Sequence, residues 1–170
     1  MKLLDRAGYR TDDFSRDGSG GSPIVQLAEV NAALEARGAD APVGVEVANN
    51  TDVERLAALF DRVALIAIVF PAFSDGRGFS LAKRLRQDGF KGRLRAVGPL
   101  IPDQGPYAFA CGFDEIELPE AIAARQTEAQ WTKAFSAISL PYQPGYARPA
   151  TILERRLEAR RKATEGARHA

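Results

Sequence analysis

An unbroken run of eight apolar residues, VALIAIVF at 63–70, lies near the middle of the 170-residue chain. A strand with one face in water alternates apolar and polar residues, so a strand that is apolar throughout is typical of a parallel sheet covered on both faces. Three further strand-like segments, 43–48, 94–98 and 115–118, alternate with helical patterns. This alternation predicts an α/β fold of about four βα units with a mainly parallel sheet, either open or curved like half a barrel.

Composition divides the chain into three parts. Residues 11–23 are polar and rich in Gly and Ser, so we expect residues 1–23 to form a flexible N-terminal segment. Residues 24–143 carry the α/β pattern, and residues 144–170 predict a Pro-rich connector followed by a basic helical tail. Residues 146–170 contain seven Lys or Arg and three Glu, a charge of +4, which leaves −3 for the rest of a chain whose net charge is +1. Such a mildly acidic body argues against a nucleic-acid-binding domain.

Cysteine and histidine are scarce, with Cys111 and His169 the single examples of each. This excludes an internal disulfide and the usual cysteine-rich zinc and iron-sulfur sites, and we expect no cofactor and no metal. Cys111 is expected to be a buried small residue. The first ten residues carry four charges and no apolar stretch of signal-peptide length, and no apolar run is long enough to span a membrane. We therefore expect a cytoplasmic protein that does not bind membranes.

Ligands of parallel α/β sheets bind at the carboxyl ends of the strands. The loop after the longest predicted strand carries a polar set that suits an anion or a partner: Asp75, Gly76, Arg77, Gly78 and Ser80. The glycines would let the backbone approach a ligand, and Arg77 would bind an anion at the amino terminus of the next helix. An alternative stays open, because Asp75-Gly76 is also ordinary turn chemistry and Ser80 is a suitable helix cap.

The next strand adds further candidates. Asp103 and Gln104 follow it and would face the Asp75 loop if the two strands are neighbours, although Asp103 is an equally suitable helix cap. Arg93 and Arg95 are two residues apart and so point to one face of their strand. Arg95 needs a carboxylate there, for which Asp75 and Glu46 are candidates, and a structural ion pair is favoured over catalysis. No catalytic residue is singled out.

Three capping boxes predict helix starts, at Thr51, Thr127 and Thr151. A helix over 127–138 carries an apolar stripe that includes Trp131, which we expect to be core packing.

Four motifs in order resemble a bacterial family of unknown function: FPAFSDGRGFSLAKRLR at 70–86, GRLRAVG at 92–98, Asp103-Gln104, and CGFD at 111–114. The resemblance covers about residues 24–143. The genes of this family commonly neighbour those of assimilatory sulfite reductase, and its members are described as probable oxidoreductases. The resemblance therefore implies a role in sulfite reduction and cysteine biosynthesis, without established catalytic residues.

The sequence carries no redox dithiol, cluster-ligand cysteines or dinucleotide fingerprint of its own. The leading hypothesis is therefore an accessory protein of assimilatory sulfite reduction that binds the reductase or its electron donor through the Asp75 loop. A second hypothesis is an enzyme acting on a small anionic metabolite, with Arg77 clamping the anion and Asp75 as acid or base. A third is a scaffold that binds a partner through its basic tail.

Overall fold

A computed structural model describes residues 1–18, 20–37 and 41–137, with side chains through residue 136. The strands are β1 (Lys2–Asp5), β2 (Gly8–Arg10), β3 (Phe14–Ser15), β4 (Ser22–Gln26), β5 (Gly44–Ala48), β6 (Leu65–Val69), β7 (Arg93–Val97) and β8 (Glu115–Leu118). The helices are α1 (Val30–Arg37), α2 (Val53–Ala57), α3 (Arg77–Gln87), α4 (Gly105–Ala110), α5 (Glu120–Ala123) and α6 (Glu128–Ala137), with a 3-10 turn at Pro102–Gln104 before α4.

The strands form one sheet in the order β2-β1-β8-β7-β6-β5-β4-β3. Strands β3 to β8 are parallel to one another and follow in chain order. The β1–β2 hairpin adds two strands beside β8, with β1 antiparallel to both β8 and β2. Side chains of α1, α2, α3, α4 and α6 belong to one apolar cluster, so these helices cover the same face of the sheet. A common face is what right-handed crossovers between consecutive parallel neighbours produce. The protein is thus an α/β protein with a mostly parallel sheet, as the sequence predicted.

Two apolar clusters lie on opposite faces of the sheet. The larger cluster joins strand side chains such as Ile66 and Leu94 to helix side chains such as Leu85. The smaller cluster consists of Phe14, Ile24, Leu65, Ala67 and Val97. Since side chains alternate along a strand, Leu65 and Ala67 face away from the helices. The prediction that residues 63–70 contain a strand buried on both faces is confirmed, because both kinds of position in β6 are buried.

The sheet must be strongly curved, because its two outer strands are joined by a very short link. Strand β2 ends at Arg10 and β3 begins at Phe14, so their ends lie at most about 14 Å apart. Eight strands laid flat would separate the outer two by about 34 Å. The sheet therefore curls into an open half barrel, with helices on its convex side and the small apolar cluster on its concave side.

The N-terminal segment differs from its prediction. Residues 1–23, set apart from the α/β domain in the sequence analysis, supply β1, β2, β3 and the start of β4, all of which belong to the sheet. Polar composition hid this order, because the segment is held by ion pairs as well as by apolar side chains. Residues 144–170, predicted as a connector and helical tail, lie outside the described residues.

The predicted helix starts fare unequally. The box at Thr127 is formed, since its backbone N–H donates to Gln130 Oε1 at 2.8 Å and Gln130 N–H approaches Thr127 Oγ1 at 3.4 Å. The box at Thr51 is not formed, because Thr51 N–H donates to the Ala48 carbonyl and α2 begins only at Val53. The box at Thr151 lies outside the described residues. Within the described part of the chain, no helix is long and apolar enough to cross a membrane.

Gly78 is a packing position in the first turn of α3. A Cβ added there would lie 2.4 to 2.9 Å from three atoms of the Phe70 ring, and this ring also packs against Phe79 at a centroid distance of 4.9 Å. The missing side chain lets α3 lie against the end of β6. Gly78 therefore serves the fold, which corrects its assignment as a ligand-facing glycine.

We expect Gly78→Ala to lower the free energy of unfolding by about 1–3 kcal/mol, because the buried ring must shift to make room. The matched control is Gly76→Ala, since a Cβ at Gly76 meets nothing closer than Phe79 at 3.8 Å and its φ is −79°. The control should change stability by no more than about 0.5 kcal/mol in urea unfolding. Equal effects of the two substitutions would contradict this account of Gly78.

Candidate functional site

The loop between β6 and α3 is organised by an ion pair. Arg77 Nε and Nη2 donate to the two carboxylate oxygens of Asp75 at 3.0 and 2.7 Å, and the Arg77 backbone N–H lies 3.3 Å from Asp75 Oδ1. Arg77 is 61% exposed. The guanidinium, followed by the side chain of Asn49, holds the pKa of the Asp75 carboxyl well below its usual value. Asp75 therefore stays ionised at physiological pH and already neutralises Arg77.

Asn49 is a buried residue whose side chain lies next to Asp75. It follows β5 directly and is only 5% exposed. Its amide is near enough to influence Asp75, but Nδ2 makes no hydrogen bond of ordinary geometry. Sequence reasoning missed Asn49, although its place directly after a strand of the parallel sheet is the signal that would have found it.

The other predicted loop residues take different places. Gly76 is the residue before α3 and is exposed, whereas Gly78 packs on Phe70. Ser80 lies in the fourth position of α3 and is exposed. The alternative in which Ser80 caps this helix is wrong, because the helix begins three residues earlier at Arg77.

Gln104 joins this loop to the segment after β7. Strands β6 and β7 are direct parallel neighbours, so the segments that follow them lie side by side at one edge of the sheet. Gln104 Nε2 donates to the Phe73 carbonyl at 2.7 Å, while its Oε1 accepts from the Ile101 N–H at 3.1 Å. Asp103 is exposed within the 3-10 turn and is not the capping residue of that turn or of α4.

Exposed apolar side chains surround this bridge. Phe73 is 56% exposed, Tyr107 is 59% exposed and Ile101 is 36% exposed. Tyr107 stands edge-on to Phe79 at a centroid distance of 5.1 Å, which fixes its ring at the surface. We call Phe73, Arg77, Ile101 and Tyr107 the rim patch. It combines apolar area with one charged side chain, a composition common in protein-binding surfaces.

A depression of about 380 Å³ continues the patch toward α6. It is lined by Ile101, Pro102, Asp103, Gln130, Lys133 and Ala134. A second depression of about 540 Å³ runs along α6 itself. Among the described residues, no three metal-ligating side chains come together in a way that could hold an ion.

Arg95 does not belong to this loop. It lies on the concave face of the sheet and is 0% exposed. Its guanidinium binds Glu115 and Glu117 at 2.8 Å each, and Asp12 bidentately at 2.7 and 2.6 Å. The partners expected from sequence, Asp75 and Glu46, are therefore corrected, although the expectation of a structural ion pair holds.

The concave face carries further ion pairs around Arg95. Arg16 binds Glu117 at 2.6 and 3.1 Å and Glu46 at 2.6 Å. Arg93 binds Asp13 bidentately at 2.9 and 2.7 Å. The charged members of this interior network are Arg10, Asp12, Asp13, Arg16, Glu46, Arg93, Arg95, Glu115 and Glu117. Since each guanidinium already has carboxylate partners, the network is suited to holding the fold and not to binding a substrate.

Two minor predictions are confirmed. Cys111 is buried at the end of α4, where burial raises the pKa of its thiol and so disfavours the reactive thiolate. Trp131 is 1% exposed and belongs to the larger apolar cluster, as core packing requires.

Fold and site together define the class: a curled, mostly parallel α/β half barrel with a charged interior and an exposed rim patch. A family model described as a bacterial protein of unknown function, DUF934, matches residues 44–153. The chain belongs to that family, which confirms the resemblance at this level. No curated protein matches the chain.

We expect Arg95→Met to lower the free energy of unfolding by about 3–5 kcal/mol, because it leaves Glu115 and Glu117 buried without their shared cation. The matched control is Arg77→Met, which removes an arginine from an exposed ion pair and should leave stability nearly unchanged. Urea unfolding followed by circular dichroism measures both. A small effect of Arg95→Met would mean that the interior network does not hold the fold.

Proposed function

We propose that this protein is an accessory protein of assimilatory sulfite reduction, and that its rim patch binds the reductase or the reductase's electron donor. The protein would then act in cysteine biosynthesis in the cytoplasm, and a basic helical tail would follow residue 144. The pathway is inferred from the resemblance of the sequence to its family. The observation that favours binding over catalysis is the exposure of Phe73 and Tyr107 beside Arg77.

The chemistry of the loop supports a binding role. An acid or base in catalysis needs a pKa near the working pH, whereas the Asp75 carboxyl is held as the anion by Arg77. The Arg77 guanidinium is in turn occupied by Asp75 and is not free to clamp an anion. These contacts weigh against the alternative, an enzyme acting on a small anionic metabolite. They are compatible with a hydrogen-bonded surface of charged and apolar side chains to which a protein partner can bind.

The exposed aromatic side chains suit such a partner. Aromatic and arginine side chains supply much of the energy of protein interfaces, because they bury large areas at small conformational cost. Gln104 fixes the backbone beneath Phe73, and Phe79 fixes the ring of Tyr107. The patch is thus ordered before binding, which lowers the entropic cost of association.

We expect the tagged full chain to capture sulfite reductase or its electron donor from bacterial cells grown on sulfate as sole sulfur source. Phe73→Ala and Arg77→Ala should each reduce this capture by about tenfold or more. The matched control is Arg37→Ala. Arg37 is exposed at the end of α1, which leads into the amino end of β5, whereas the rim patch follows the carboxyl ends of β6 and β7. Quantitative mass spectrometry reads the captured proteins, and urea unfolding checks that each variant is folded.

Two results would overturn the proposal. Capture of neither protein by the wild-type chain would reject the accessory role in sulfite reduction. Equal capture by wild type, both patch variants and the control would retain that role but reject the rim patch as the binding surface.

A further inference from the structure

We propose that residues 10–16, here called the strap, form an ionic latch that opens over the concave face while the helix-covered core stays folded. The strap runs between the two outer strands of the sheet, from the end of β2 through β3. In doing so it covers the open side of the half barrel. Access to the interior then depends on whether the strap is closed or open.

Ion pairs fasten the strap to the sheet at several points. Asp12 and Asp13 each form a bidentate ion pair with an arginine of β7. Asp12 pairs with Arg95, and Asp13 pairs with Arg93. At the far end of the strap, Arg16 binds Glu117 on β8 and Glu46 on β5. Arg10 approaches the buried Glu115 at 3.5 Å. The strap thus presents charges that complement those of the face below it.

The charged side chains of the strap are more exposed than most of their partners on the sheet. Arg10, Asp12, Asp13 and Arg16 are each at least 31% exposed, whereas Arg95, Glu115 and Glu117 are buried and Arg93 is 28% exposed. Water can therefore reach and solvate the strap's charges as they leave, which makes release much easier than separation of a fully buried pair. The strap's own apolar anchor is Phe14, whose ring lies 4.7 Å from the Arg93 guanidinium.

Opening leaves no charge stranded in the interior. When Asp12 withdraws, Arg95 retains Glu115 and Glu117 at 2.8 Å each. When Arg16 withdraws, Glu46 retains the amide of Gln26 at 3.0 Å. The face below the strap is therefore stable in both states, which a two-state element requires.

Few backbone contacts tie the strap to the adjacent strand. Strand β3 pairs with β4 over only two residues, and the Ser22 N–H donates to the Asp13 carbonyl at 2.9 Å. Gly8 precedes the strap at φ 126°, and Gly21 follows it at φ 80°, both conformations that only glycine adopts readily. The helices pack on the opposite face through a separate apolar cluster, of which no strap residue is a member. Local opening need not disturb that core, so the strap can belong to the low-stability end of the structure.

Hydrogen exchange by mass spectrometry on the full chain tests the latch. We expect the variant with both Asp12→Asn and Asp13→Asn to exchange at least about tenfold faster than wild type in peptides covering residues 8–17, because loss of the ion pairs favours local opening. Asparagine retains an oxygen for the Asp12 turn, whose Oδ1 accepts from the Phe14 N–H at 2.9 Å, so the variant removes charge and little else. Peptides from β6 and α3 should exchange at wild-type rates.

The matched control is Asp88→Asn, which removes an exposed carboxylate paired with Arg84 on α3 and should leave strap exchange unchanged. Unchanged exchange of the strap in the double variant would reject the ionic latch. Equal acceleration in the strap and in β6 would also reject it, because the strap would then open only when the whole domain unfolds.

Discussion

The buried guanidinium of Arg95 sets the arrangement of the whole concave face. Removing an arginine from water costs several kcal/mol, and the cost is recovered only with close carboxylates. Arg95 obtains them from two sources, Glu115 and Glu117 on the adjacent strand and Asp12 on the N-terminal segment. The contact with Asp12 requires that segment to cross the face, and a crossing of three residues between the outer strands requires a curled sheet. The burial of Arg95 is thus linked both to the path of the strap across the concave face and to the curl of the sheet.

The central sheet could be predicted because its signals are local. The apolar run at 63–70 and the alternation of strand and helix patterns depend on neighbours in sequence, and the structure has strands at all four predicted places. The same approach fails for residues 11–23. Their order comes from Asp12, Asp13 and Arg16 meeting partners 30 to 101 positions away, and a search for apolar periodicity does not detect such contacts. The two-residue spacing of Glu115 and Glu117, which matches that of Arg93 and Arg95, is the signal that would have revealed the charged face.

The loop after β6 shows a different limit of sequence reasoning. Asp75, Arg77 and Gln104 do lie in adjacent loops, because β6 and β7 are neighbours in the sheet. Spacing alone could not distinguish a glycine that admits a ligand from one that admits an aromatic ring, and Gly78 proved to be the second kind. Nor could spacing reveal that Asp75 would occupy Arg77. That pairing changes the interpretation of the loop, since two complementary charges in contact leave no net charge to attract an anion.

The division of charge between interior and rim bears on where recognition can occur. Charges of the concave face are paired and partly dry, so a ligand entering there would have to displace carboxylates that already satisfy the arginines. The aromatic side chains of the rim patch have no such competition, because Phe73 and Tyr107 lose only water on burial. A partner that bound these aromatic side chains would therefore meet a smaller desolvation cost than one that bound the concave face. An open strap would change this comparison, because it would expose the apolar side chains of Leu65, Ala67 and Val97 beside the charges of the concave face. The concave face would then be a second binding surface, separate from the rim patch.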